Sequence, residues 1–200
     1  REPAIIIPAV ILGVMVLIAI LAPWLGTIDP TLLDPTQRNK LPGFVGQITL
    51  PDGAKAPFTF QMGTDQLGRD YFSRLIYAGR ISLTVAILSV LISETIGIVI
   101  GAISGFFGGW TDTILMRFVE FMLTIPQLPL LLIISSMLLR NEELIAIPDP
   151  VLKFMGDILL LSPRDSRNAV LIVMVLAGFG WLSAAQLMRG TVLSLREQTF

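Results

Sequence analysis

The stretch ISLTVAILSVLISETIGIVIGAISGFFGGWT, residues 81–111, carries one ionisable side chain, Glu94, in a run long enough to cross a bilayer as a helix. A hydrocarbon core of about 30 Å takes roughly 20 helical residues, and backbone groups that lipid cannot hydrogen-bond leave only helices and closed barrels as spanning structures. Residues 3–28 and 168–188 are equally apolar, and residues 114–139 hold only Arg117 and Glu120. The fold class that follows is an all-α membrane protein, a polytopic transmembrane helix bundle with four spans. The first run is longer than the apolar part of a signal peptide, and no small-residue cleavage site precedes the next polar segment, so it reads as a retained span.

Composition agrees. Hydrophobic residues make up 54% of the 200, charged residues 14%, and the net charge is −1. Mean hydropathy is +0.78. With no Cys and no His there is no disulfide framework, thiol nucleophile or ordinary transition-metal site. A near-neutral charge without blocks of one sign gives no case for nucleic acid. No paired acids or nucleophile–base set suggests an enzyme, and the G-x-x-x-x-G-K-[ST] phosphate loop of an ATPase is absent.

The spans divide the chain: residues 1–28 the first span, 29–80 a polar insert, 81–139 the second and third spans, 140–167 a second insert, 168–188 the fourth span, and 189–200 a polar helical extension. In the first insert, Gln47–Leu50 and Phe58–Phe60 flank Pro51-Asp52-Gly53, a pattern that fits either a short β-hairpin or an irregular loop. From Asp65 to Arg80, Leu67, Tyr71, Phe72, Leu75 and Ile76 follow helical spacing, which predicts an amphipathic helix at the membrane surface, capped by Asp65 and with Arg69, Asp70 and Arg74 able to pair on its polar face. Residues 151–161 repeat the pattern at a length too short to span, and a helix packed beneath a loop is the favoured reading.

Gly97, Gly101, Gly105 and Gly109 recur every four residues, a triple GxxxG that removes side chains from one stripe and predicts a close helix–helix seam. Glu94 lies three residues before Gly97, so it is expected near that face, either paired with a neighbouring helix or on a translocation route. Pro126 and Pro129 interrupt the third span and predict a kink near Thr124–Gln127, where a pathway can be shaped. Arg117 and Glu120 are spaced to pair with each other. Gly178, Gly180, Ser183, Ala184 and Ala185 give the fourth span its own small-residue surface.

Several stretches also carry a resemblance. Gly63-Thr64-Asp65-Gln66-Leu67-Gly68-Arg69-Asp70, then Ser73-Arg74-Leu75-Ile76-Tyr77 and Arg80-Ile81-Ser82-Leu83, resemble the signature of the C-type permease subunit of bacterial peptide and nickel ABC importers. The match continues through Gly105-Phe106-Phe107-Gly108-Gly109-Trp110-Thr111-Asp112, Met116-Arg117 and Pro126. It ends in Met188-Arg189-Gly190-Thr191-Val192-Leu193-Ser194-Leu195-Arg196-Glu197, similar to the run just before the family's EAA motif. Both inserts look longer than the family's usual connections, and an acid at Glu94 is not part of its pattern.

The resemblance implies a type I ABC importer permease fold, here partial, with the EAA coupling region and two further spans expected beyond Phe200. It implies a non-catalytic subunit in the bacterial inner membrane, binding no cofactor itself. It pairs there with a homologous permease, two cytoplasmic ATPase subunits that bind ATP and Mg, and an extracytoplasmic substrate-binding protein. The cargo it implies is peptide, with nickel or oligosaccharide as alternatives. It places the N-terminus in the cytoplasm, both inserts outside, and Arg189, Arg196 and Glu197 on the ATPase side. Cation counting points the other way, since the inserts with Arg38, Lys40, Lys55, Arg140 and Lys153 among them outnumber Arg1, Arg117, Arg189 and Arg196. The alternative function is a secondary transporter or channel subunit that couples an ion through Glu94.

Overall fold

The computed structural model describes residues 3–50, 53–140, 146–159 and 163–197. By their internal packing they form two units, residues 1–83 and 84–200.

The first unit opens with α1 (Pro3–Leu21), apolar on every side, with Ile5, Ile7 and Val10 all exposed. A helix without a polar face is suited to lipid rather than to the surface of a water-soluble core. A short 3₁₀ turn, Ala22–Trp24, ends it. The insert then forms the antiparallel hairpin β1 (Phe44–Thr49) and β2 (Lys55–Phe60), registered Phe44 opposite Phe60 and Thr49 opposite Lys55. This decides between hairpin and loop; Pro51 and Asp52 of the expected turn lie outside the described residues. One face gathers Phe44, Phe58 and Phe60, with ring centroids 6.0 Å apart for Phe44–Phe60 and 5.1 Å for Phe58–Phe60. The side-chain amide of Gln37 accepts from the Gln47 N–H at 3.1 Å and donates to the Gln47 carbonyl at 2.6 Å. Gln47 therefore points its backbone out of the ladder, and its partner Pro57 occupies a position where no ladder donor is needed.

The helix expected from Asp65 starts later. α2 runs unbroken as Tyr71–Phe107, so the surface helix and the second span are one element. At 1.5 Å per residue its 37 residues reach about 55 Å, well beyond a hydrocarbon core.

In the second unit α2 ends at Gly108 and Gly109, both with positive φ (63° and 55°). α3 (Gly109–Thr124) and α4 (Gln127–Arg140) follow, bent by 82° across Ile125 and Pro126. The expected kink is thus a full break in the third span. Pro126 has no N–H to continue the ladder, and the residue before a proline is driven out of helical geometry, as Ile125 shows at ψ 130°. α5 (Asp149–Leu159) buries Met155 and Leu159, which bears out a packed rather than free helix. α6 (Pro163–Glu197) continues the fourth span as one helix of 35 residues. Its buried residues Val170, Val173, Leu182 and Ala185 form the core of the unit, with Met116 and Val119 of α3 packed on Leu182 and the Phe118 ring stacked on Trp181 at 6.4 Å. Among the described residues three helices are long and apolar enough to cross a membrane, and the bent pair α3–α4 is a fourth if it acts as one span.

Candidate functional site

The segment from Gly63 to Arg74 is a knot of hydrogen bonds. The Thr64 N–H donates to the Lys40 carbonyl (3.1 Å), the Thr64 hydroxyl accepts from the Lys40 N–H (2.8 Å) and donates to the Gln37 carbonyl, and the Asn39 N–H donates to the Asp65 carbonyl (3.0 Å). Gly63 and Gly68 both adopt positive φ, 73° and 76°. A Cβ on Gly68 would run into the Asp34 carbonyl, and one on Gly63 into the Lys40 carbonyl, so conformation and space both demand glycine.

Asp65 does not cap α2. Its carboxylate accepts the N–H groups of Leu67 (2.8 Å) and Arg69 (3.0 Å), the Arg69 guanidinium (2.8 Å) and Arg74 Nη1 (2.5 Å). Burial works against ionisation, but the Arg69 backbone and side-chain hydrogen bonds, the Leu67 N–H and the Arg69 charge outweigh it and lower the Asp65 pKa to about 2. The cap is Asp70, whose Oδ2 accepts from the Ser73 N–H (2.8 Å) and hydroxyl (2.5 Å). Ser73 Oγ in turn accepts the Ile28 N–H at 2.9 Å, tying the chain after α1 to the start of α2. The expected mutual pairing of Arg69, Asp70 and Arg74 is thereby corrected: both arginines converge on Asp65, and Asp70 holds the helix end.

The glycine seam is real over three of its four positions. A Cβ on Gly97 would lie 2.5 Å from Ala184 Cβ and 2.8 Å from the Trp181 carbonyl; on Gly101 it would meet the Ala185 carbonyl and lie 2.8 Å from Met188 Cβ; on Gly105 it would lie 2.8 Å from Val192 Cβ. Partners advance along α6 as the glycines advance along α2, so the two helices pack in parallel. Gly109 is outside the seam, because α2 has already ended and a Cβ there would meet nothing within 4 Å. The stripe extends in the other direction instead, through Ser93, whose Cβ would lie 3.0 Å from one on Gly180, and the buried Ser89. Spacing of four residues continued backward from Gly97 was the available signal for both serines.

Glu94 is corrected in the same way. The seam follows Ser93 and Gly97, and Glu94, rotated about 100° from Ser93, is exposed off that face. Pro126 is exposed at the α3–α4 break. Arg117 and Glu120 pair at 3.3 Å, both exposed.

At the far end of the seam is a cluster that the sequence left dispersed. Arg189 of α6 donates from Nε and from Nη2 (2.6 Å) to the two carboxylate oxygens of Asp112 in the first turn of α3, and the buried Ser104 of α2 donates to Asp112 Oδ1 at 2.6 Å. Three helices meet on one carboxylate. Arg196, one of the expected ATPase-side residues, lies exposed with Nη1 3.4 Å from the Phe106 carbonyl. Glu197 is the last residue of α6; its side chain and residues 198–200 lie outside the described part. No group of three or more metal-ligating side chains occurs among the described residues.

No protein-family model matches the chain. It is similar to the dipeptide transport system permease protein of Haemophilus influenzae, 38% identical over 125 residues, which is 62% of this chain and 40% of the relative. It is similar to the probable D,D-dipeptide transport system permease protein of Escherichia coli, 37% identical over 137 residues, 68% of the chain and 41% of the relative. The oligopeptide transport system permease protein of Haemophilus influenzae is 30% identical over all 200 residues, 52% of its own length. The chain thus spans about half the length, or somewhat less, of the curated relatives it matches.

Proposed function

Because the chain belongs to the family of the dipeptide and oligopeptide transport system permease proteins, we propose that it is the membrane-spanning part of a permease subunit in an ATP-driven peptide importer. The observation that carries this reading is kinship along all 200 residues with an oligopeptide permease, on a chain whose helices are built to cross a membrane. The subunit works with a second, homologous permease, two ATPase subunits that bind ATP and Mg on the cytoplasmic side, and an external peptide-binding protein. Chemistry then happens on the ATPases, and this chain supplies the moving wall of the pathway.

A pathway of this kind alternates between two arrangements of one bundle. The tight α2–α6 seam and the hold of Arg189 on Asp112 keep α2, α3 and α6 together as one body, and the break at Pro126 allows α4 to turn separately from α3. In this reading the N-terminus is cytoplasmic, the hairpin and the Gly63–Asp70 knot form an outer element that meets the binding protein, and Arg189 to Glu197 approach the ATPase. A cysteine at Lys55, in sealed inverted vesicles, resists an impermeant maleimide if this orientation holds.

Reconstitution of the full-length subunit with its partners tests the whole. Peptide uptake into proteoliposomes should require ATP and the binding protein. Uptake driven by a proton or sodium gradient without ATP would replace this reading with that of an ion-coupled transporter.

A further inference from the structure

Beside the Asp65 knot lies a concavity of about 450 Å³, lined by Asn39, Gln66, Arg69, Tyr71 and Arg74, with Asp65 and the exposed Leu67 completing its wall. A volume of that order is typical of small-molecule sites. Two guanidiniums stand there against one carboxylate, an excess of one positive charge. The neighbouring acid Asp70 is buried, bonded to Ser73 and not part of the lining.

The donors are not used up. Arg69 gives Nε and Nη2 to Asp65, and Arg74 gives only Nη1. Arg69 Nη1, Arg74 Nε and Nη2, the Tyr71 hydroxyl and the side-chain amides of Asn39 and Gln66 make no hydrogen bond with another described residue. Asp65 already accepts from two backbone N–H groups and both arginines, so it does not absorb them. The Arg74 side chain is 41% exposed, within reach of a ligand. Its Nε and Nη2 form the edge of a guanidinium that forks onto the two oxygens of a carboxylate.

The position favours a ligand from water. Arg74 stands seven residues before Ile81, where the apolar run begins, and so about 10 Å along the helix from the hydrocarbon. The headgroup layer is roughly 5–8 Å deep on each face, which leaves lipid phosphate short of the site.

We propose that this concavity binds the C-terminal carboxylate of a peptide. Arg74 offers Nε and Nη2 to its two oxygens, Arg69 Nη1 and the Tyr71 hydroxyl add donors, and Leu67 gives apolar contact to the last side chain. This rests on the importer reading, which puts the segment outside and supplies peptide as the ligand. The walls select the acid end of that peptide, because they carry spare donors and surplus positive charge.

The test uses the full-length subunit assembled with its partner permease and ATPases in lipid nanodiscs, without binding protein or nucleotide. Photolysis of alanyl-p-benzoylphenylalanine should label residues within 39–74, read by mass spectrometry. Dialanine should compete, and dialanine amide about tenfold less well, the scale of one lost charge-assisted pair. Arg74→Lys keeps a cation beside Asp65 but removes the forked edge, and should weaken binding about tenfold. Tyr71→Phe should weaken it about threefold with unchanged thermal unfolding. Label elsewhere, equal competition by acid and amide, or wild-type affinity in both variants overturns the proposal. Equal competition by acetate does so too, since it marks a general anion site. Absent labelling also overturns it, and is the result if an acidic side chain of another segment already fills the concavity. ATP-driven uptake is scored separately: failed labelling with intact uptake removes this site alone, whereas labelling with uptake that needs no ATP removes the importer reading.

Discussion

Arg189 grips the carboxylate of Asp112 with two hydrogen bonds across 77 residues of chain, and Ser104 holds the same carboxylate from a third helix. A forked guanidinium–carboxylate pair is stronger and more directional than a single ionic contact. It fixes the start of α3 to α6 where the seam ends, so α2, α3 and α6 move there as one body.

Removing either partner should therefore weaken this junction. Asp112→Ala or Arg189→Ala should cost about 1–3 kcal/mol, because the remaining partly buried charge loses its partner. Thermal unfolding of the detergent-purified complex measures it. The exchange Asp112→Arg with Arg189→Asp should recover part of the loss; no recovery would show that the pair is incidental to the junction.

The seam gives a graded prediction. Gly101→Leu should destabilise by about 3 kcal/mol or more, because the new side chain must displace the α6 backbone. Gly190→Ala, where a Cβ meets nothing within 4 Å, should be close to neutral. Equal effects of the two changes in a thermal assay would disprove close packing at Gly101.

Asp65 predicts a pH dependence of the Gly63–Arg74 segment. Its pKa is lowered from 3.8 to about 2, so folding favours the ionised form. The stabilisation is then complete above about pH 5 and is lost as pH falls from about 4 through 2, on the order of 2 kcal/mol in all. Hydrogen exchange of residues 63–80 between pH 6 and pH 2 should show protection fading in that window, and Asp65→Asn should show low protection throughout. A wild-type profile that stays flat to pH 2 would refute the role given to Asp65.

Arg196 tests the ATPase-side role proposed for the end of α6. Arg196→Glu in the full-length subunit should lower peptide-stimulated ATPase activity of the assembled complex several-fold and leave binding-protein association unchanged. Unaltered coupling would mean that the ATPase contact lies elsewhere.

Hydropathy made the spans legible, since the bilayer imposes its length on every crossing helix, and the glycine period exposed the seam. What escaped was set by backbone conformation or by distance along the chain. The start of α2 was misplaced because the spacing of Leu67, Tyr71 and Leu75 is helical, while Gly68, forced to positive φ against Asp34, keeps the chain from coiling before Asp70. Gly109 was counted in the seam because a period does not register that Gly108 has turned the chain. Ser89 and Ser93 belong to the stripe but are less conspicuous than glycines. The meeting of Ser104, Asp112 and Arg189 leaves no periodic trace, since nothing in their spacing encodes a contact between helices so far apart in sequence.

The hold of Gln37 on Gln47 bears on how the chain survives its own synthesis. A lone hairpin exposes a free strand edge to every other copy emerging nearby, and such edges template aggregation. One glutamine amide, offering a donor and an acceptor as a neighbouring strand would, engages the outward N–H and C=O of Gln47 in the middle of β1, and opposite it on β2 Pro57 carries no N–H. The hairpin thus offers a neighbouring copy an edge interrupted at its centre on both strands.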